Sequence, residues 1–293
     1  MATAITSEVV TVTPAMAKAW LDENNYDDNR HVAKSRVDFY ARQMKNKRWS
    51  LNGEAIIFDQ VGKLLNGQHR LHGCIQAGVS FQSVIVRGVQ TESFSTMDQG
   101  YTRSAGQILQ MKDHKNATVR AAICRTILAW ELAQDQTLRL LSTKLSPDEI
   151  LLVQDCYPEE IDAAVDYLKY VRRIVPARTG VFGLAHVLFR RARPRKAVEF
   201  FQVLDDGATS NARHPALVLR NRIINDKMRD RTLDNIGQWC LFAKAWNTYD
   251  KGDDTRALIV RKDAEGHWVY PAVRGLKKNG TAGTSKVATK FAD

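Results

Sequence analysis

Apart from a short pair near the C-terminal end, every strand-like run in this chain lies before residue 90, and from about 105 to 248 the apolar spacing is helical throughout. That segregation predicts an α+β fold: a small mixed-sheet domain over 1–110, an all-α domain over 111–250, and a short hairpin with a basic tail over 251–293. A chain of 293 residues suits this division, because single hydrophobic cores stop growing near such a length. With 44% hydrophobic and 26% charged residues, a wholly disordered chain and a collagen-like fibre are excluded. No run of about 18 apolar residues occurs, so no membrane span is expected. The opening MATAITSEVV has no basic region before an apolar stretch and does not read as a secretory signal. The four cysteines, Cys74, Cys124, Cys156 and Cys240, are too dispersed for a zinc site or a disulfide framework. They read as reduced, buried thiols of a cytoplasmic protein.

Local signals order the first domain. Thr13-Pro14 opens a helix, and a second follows over about 31–47. Ala55 to Phe58 and Lys63 to Leu65 read as a hairpin about the turn Asp59 to Gly62. Gln68 to Ala77 reads as a helix stopped by Gly78, and Ser83 to Val86 as one more strand. Beyond 105, helical segments are expected near 117–134, 147–171, 181–204, 213–228 and 232–247. Ala257 to Val260 and His267 to Tyr270 are expected to pair, and 275–290 to fray.

Chemistry concentrates where a strand ends at Asn66-Gly67 and a helix begins Gln68-His69-Arg70. Helix N-termini expose unpaired N–H groups, which favour phosphate. Gly67 permits close backbone approach, Arg70 can fork two oxygens, and His69 can donate a hydrogen bond or move a proton. An ordinary strand-turn-helix with a polar first turn fits the same residues. The second feature is charge. The net charge of +11 divides as +2 over residues 1–110 and +9 over 111–293. Residues 169–196 hold nine Lys and Arg and no acid. Arg172, Arg173, Arg190, Arg191, Arg193, Arg195 and Lys196 are the candidates for a nucleic-acid face there; a protein-partner face and plain solubility are the alternatives.

LLNGQHRLHGCIQAG resembles the ParB/sulfiredoxin-like signature, in which a strand, a Gly-x-x-Arg turn and a helix hold a nucleotide's phosphates. VTPAMAKAWLDENN, YARQMKNKRWSLNGEAIIFDQVGKLLNGQHRL and FSTMDQGYTRSAGQIL extend the likeness to ParB-like proteins of phages and actinobacteria. The resemblance implies ATP or CTP with Mg²⁺, and NTP hydrolysis, phosphoryl transfer or DNA cleavage. Carried over residue by residue, it puts Gly67, His69 and Arg70 on the phosphate turn, and Gln68 between them is a further candidate contact to the nucleotide. Gln68 stands where sulfiredoxins have cysteine, so sulfinic-acid repair is not expected. Glu54, ahead of the neighbouring strand, is the candidate acid–base group and Mg²⁺ ligand, with His69 beside it in catalysis. A solvated edge glutamate is the alternative. Asp98 and Arg103 are a further pair expected near the nucleotide, or else a turn tied by an ion pair. The expected partners are DNA, a nucleotide and, as a third class, a host protein. An adaptor that binds DNA or a host factor without turnover is the rival to an enzyme.

Overall fold

The computed structural model describes residues 4–25, 31–97, 103–133, 138, 141, 145–276 and 287. Among these residues it has eleven helices and one four-stranded mixed sheet, an α+β architecture with the strands at the N-terminal end. The described residues up to 97 form one compact unit, and those from 103 form another. No described helix is long and apolar enough to cross a membrane.

The first unit runs β1 (Thr6–Val12), α1 (Pro14–Asn24), α2 (Lys34–Lys45), β2 (Ile56–Asp59), β3 (Leu64–Asn66), α3 (Gln68–Ala77) and β4 (Phe81–Val89). The sheet order is β1-β4-β2-β3, with β2 and β4 parallel and the other pairs antiparallel. A parallel pair needs a crossover, and β3 with α3 provides it. Thr13 caps α1 by accepting the Met16 N–H at 3.2 Å, and Pro14 occupies its first turn. Val12, Phe81, Ile85, Ile56 and Phe58 from the strands pack with Ala17, Leu71 and Cys74 from the helices to make the core. Gly73 is where α2 crosses α3: a Cβ there would lie 2.7 Å from the Tyr40 Cβ. On β4, the Arg87 guanidinium stacks 4.4 Å from the Phe58 ring centroid.

β1 was not legible in the sequence. Its first four residues are exposed and only Val12 is fully covered, so the pattern carries little alternation. Pairing with β4 from Thr6↔Arg87 to Val12↔Phe81 supplies what the pattern lacks.

The second unit contains α4 (Ala105–Met111), α5 (Ala117–Leu132), α6 (Pro147–Cys156), α7 (Pro158–Val171), α8 (Thr179–Ala192), α9 (Pro194–Asp206), α10 (Pro215–Met228) and α11 (Asn235–Lys251). The segments expected at 147–171 and 181–204 are each two helices. Pro158 and Pro194 lack an N–H to continue a ladder, yet fit a first turn, so each restarts the chain in a new direction. Serine capping boxes open α4 (Ser104 with Gln107) and α6 (Ser146 with Glu149). The core is aromatic: Phe189 stacks on Trp246 at 4.5 Å, with Phe200, Trp239, Phe182 and Phe242 fully buried nearby. In place of the expected terminal hairpin there is one bridge, Lys262 with Trp268, about a turn beginning at Asp263. Residues 277–286 and 288–293 of the expected tail lie outside the described residues.

His186 on α8 sits inside this aromatic core, 4% exposed and stacked at 5.0 Å on Tyr167. Its Nδ1 has no hydrogen-bond partner among the described residues. Burial, with the charge of Arg190 adding to it, lowers its pKa to about 4. The unfolded chain therefore binds the proton first. The histidine's contribution is complete above pH 6.5 and is lost as pH falls toward 4. Relative to His186→Phe, the parent is expected to lose up to about 3 kcal/mol over that range, read from urea unfolding at each pH. A difference that does not change with pH would show that His186 is not held neutral.

Candidate functional site

At the β3–α3 junction Gly67 has φ 112° and serves as the N-cap of α3. A Cβ there would lie 2.9 Å from the Ile56 Cγ1, so close packing on β2 and the backbone angle both demand glycine. The next three residues face inward: Gln68, His69 and Arg70 are 3%, 8% and 4% exposed. His69 Nε2 accepts the N–H of Ala33, the N-cap of α2, at 3.0 Å. Its neutral ring then carries the proton on Nδ1. Arg70 donates from Nη1 to the carbonyl of Glu54 at 2.5 Å and from Nη2 to that of Ala55 at 2.7 Å. Burial lowers the Arg70 pKa from its ordinary value, opposed by Tyr40 and Glu54.

As placed, His69 and Arg70 do not fit a triphosphate. Both are more than nine-tenths buried, and each already holds backbone of its own unit. Arg70 fastens the approach to β2 onto α3, and His69 fastens the start of α2 onto α3. The Glu54 carboxylate is exposed; Arg70 grips the residue by its backbone, and the Glu54 N–H donates to Asn52 Oδ1 at 3.1 Å. The buried acid of this region is Asp59, unremarked in the sequence beyond its place in a turn. Its Oδ1 accepts the N–H groups of Val61 and Lys63, and its Oδ2 the Thr91 hydroxyl. Asp98 lies outside the described residues. Arg103 is exposed and belongs to the second unit, next to the Ser104 cap of α4.

In the second unit Arg172, Arg173, Arg190, Arg193 and Arg195 are exposed, whereas Arg191 and Lys196 are half-buried. Arg191 leaves the expected nucleic-acid face. It binds Glu160 of α7 through Nε and Nη2 and Glu131 of α5 through Nη1 at 3.0 Å, and lies 4.3 Å over the Tyr157 ring. Burial works against its charge, but Glu160 and Glu131 outweigh it and hold the pKa above the ordinary arginine value. This arginine joins three helices inside the unit.

Lys196 leads to a residue that sequence reasoning missed. Asp250, on the last turn of α11, has a side chain only 4% exposed. Lys196 Nζ lies 3.2 Å from its Oδ1, Arg274 Nε 3.2 Å from its Oδ2, and Arg193 Nε 3.8 Å from its Oδ1. Burial alone would raise this carboxyl; Lys196, Arg274 and Arg193 together hold it below the usual carboxylate value. One signal was present in the sequence. An acid at a helix C-terminus opposes the helix dipole and therefore calls for cations nearby. A cluster of Asp263, Glu265 and His267 is exposed, and Asp263 Oδ1 there accepts the N–H groups of both others, which accounts for it as a turn.

Arg70→Ala is expected to cost about 2–4 kcal/mol of stability in urea unfolding, from two deprived carbonyls and a cavity. Glu54→Gln is expected to stay within about 0.5 kcal/mol, because Arg70 holds the backbone and not the carboxylate. Equal losses in both variants would overturn this assignment. Comparisons with protein-family models, curated proteins and solved structures return no match to this chain.

Proposed function

We propose that this chain is a ParB-like DNA-binding protein, in which the helical unit takes the phosphate backbone and the α+β unit serves as a binding module. The observation that carries the reading is a division among its cations. Arg70 and Arg191 are engaged inside their units, while Arg172, Arg173, Arg190, Arg193 and Arg195 are exposed in a stretch with no acid from 169 to 196. A solvated helical segment ordinarily interleaves both signs, so a stretch of one sign this long in the sequence suits a polyanion. Binding through phosphates is independent of base sequence and releases counterions, so it weakens steeply with salt.

A second reading keeps a nucleotide, ATP or CTP with Mg²⁺, at the start of α3. The left-handed Gly67 and the exposed Glu54 carboxylate favour it, and the inward-facing His69 and Arg70 weigh against it. Thermal-shift titration with the four NTPs and Mg²⁺, on the parent and Glu54→Gln, separates the two. A stabilisation by one NTP that Glu54→Gln loses would favour the nucleotide reading.

For the DNA reading, the test reverses Arg172, Arg173, Arg190 and Arg195 to glutamate and measures duplex affinity against salt. The slope of log K against log salt is expected to become shallower by about 3–4, at roughly 0.9 per phosphate contact. An unchanged slope would remove this surface from DNA binding. Retention of a host protein by the parent but not by this variant, with no DNA binding in either, would instead identify a protein partner.

A further inference from the structure

The Asp250 cluster brings together cations from distant parts of the chain. Arg193 lies between α8 and α9, Lys196 in the first turn of α9, and Arg274 in the segment after the terminal turn. That segment is fixed on α11. Trp246 Nε1 donates to the Arg274 carbonyl at 3.0 Å, the Arg274 N–H donates to Asn247 Oδ1 at 2.8 Å, and Asn247 Nδ2 donates to the Ala272 carbonyl at 2.6 Å. Lys196 also donates to the Asp250 backbone carbonyl at 2.8 Å.

Exposure is sharply divided within the cluster. The Asp250 side chain is 4% exposed, against 55% for Arg193, 44% for Lys196 and 48% for Arg274. Three positive charges about one negative charge leave a local surplus of two, with the negative group beneath. Arg193 and Arg274 each approach Asp250 through Nε, and their Nη groups make no hydrogen bond among the described residues. Each guanidinium thus keeps donors suited to phosphate oxygens. Three long cationic side chains would otherwise repel one another and lose rotamer freedom on meeting a ligand; one shared carboxylate offsets both effects before binding.

We propose that Asp250 is a positioning residue for DNA: it gathers Arg193, Lys196 and Arg274 into one cluster that contacts the phosphate backbone. The proposal rests on the DNA-binding reading and adds Arg274 to the face. It has a consequence opposite to that of net charge. Removing an acid from a basic surface should ordinarily strengthen binding to DNA, whereas removing this acid should weaken it.

The experiment measures duplex affinity across a salt series for the parent, Asp250→Asn and Asp253→Asn. Asp253 is an exposed acid three residues away and serves as the charge control. Asp250→Asn is expected to bind roughly fivefold to tenfold more weakly, with a slope shallower by about 1, the scale of one phosphate contact. Asp253→Asn is expected to bind as tightly as the parent or more so. If Asp250→Asn fails to fold by circular dichroism, Arg274→Lys carries the test. It keeps the charge and loses the fork, and is expected to weaken binding by a similar factor with the slope little changed. Steep salt-dependent binding by the parent with equal or tighter binding by Asp250→Asn, or by Arg274→Lys where that variant is used, overturns this inference and leaves the DNA reading intact. No salt-dependent binding by the parent overturns the DNA reading itself.

Discussion

Arg70 carries a full charge at a position 4% exposed, and the arrangement of the first unit follows from how that charge is compensated. Without partners a guanidinium so placed would lose far more in desolvation than any packing returns. The Glu54 and Ala55 carbonyls fill that need, and they lie at the entry to β2. The interaction therefore sets where β2 begins relative to α3. It also fixes the register in which Ile56 meets Gly67, and hence where the central strand joins the core.

The same requirement shapes the second unit. Glu131, with a side chain 3% exposed, is compensated by Arg191 and the Tyr157 hydroxyl. Asp250, equally enclosed, is compensated by three cations at once. Cations consumed in this way contribute to the fold, and the surplus decides what the surface can recruit. A count of lysines and arginines cannot separate these two populations. Arg190 and Arg191 are adjacent in sequence, yet one is exposed and the other joins three helices.

Much of the local architecture was readable in advance because it rests on short-range stereochemistry. Thr13-Pro14, Gly67 and Gly78 stand at the element boundaries expected of them, since caps and fixed φ angles depend on the nearest few residues. The hairpin of β2 and β3 follows from the turn at Asp59 to Gly62. β1 was hidden because an exposed edge strand is defined by its partner and not by its own pattern. The extra helix start at Pro158 was obscured by apolar periodicity that continues across the proline.

At the candidate sites the boundary between local and long-range information is sharper. By itself the sequence determined that a strand would pass through Gly67 into a helix, that a sheet would form within the first hundred residues, and that positive charge would accumulate in the helical part. These depend on neighbours along the chain or on composition. Only the tertiary structure decided that His69 and Arg70 turn inward, that Arg191 belongs to the interior, and that Asp250 collects Arg193, Lys196 and Arg274. The destination of a long charged side chain depends on which groups it can reach within about 4 Å. For Arg70 those lie 15 and 16 residues away, and for Lys196 they lie 54 residues away. Compensation of a buried charge is satisfied in space, whichever part of the chain supplies the partner.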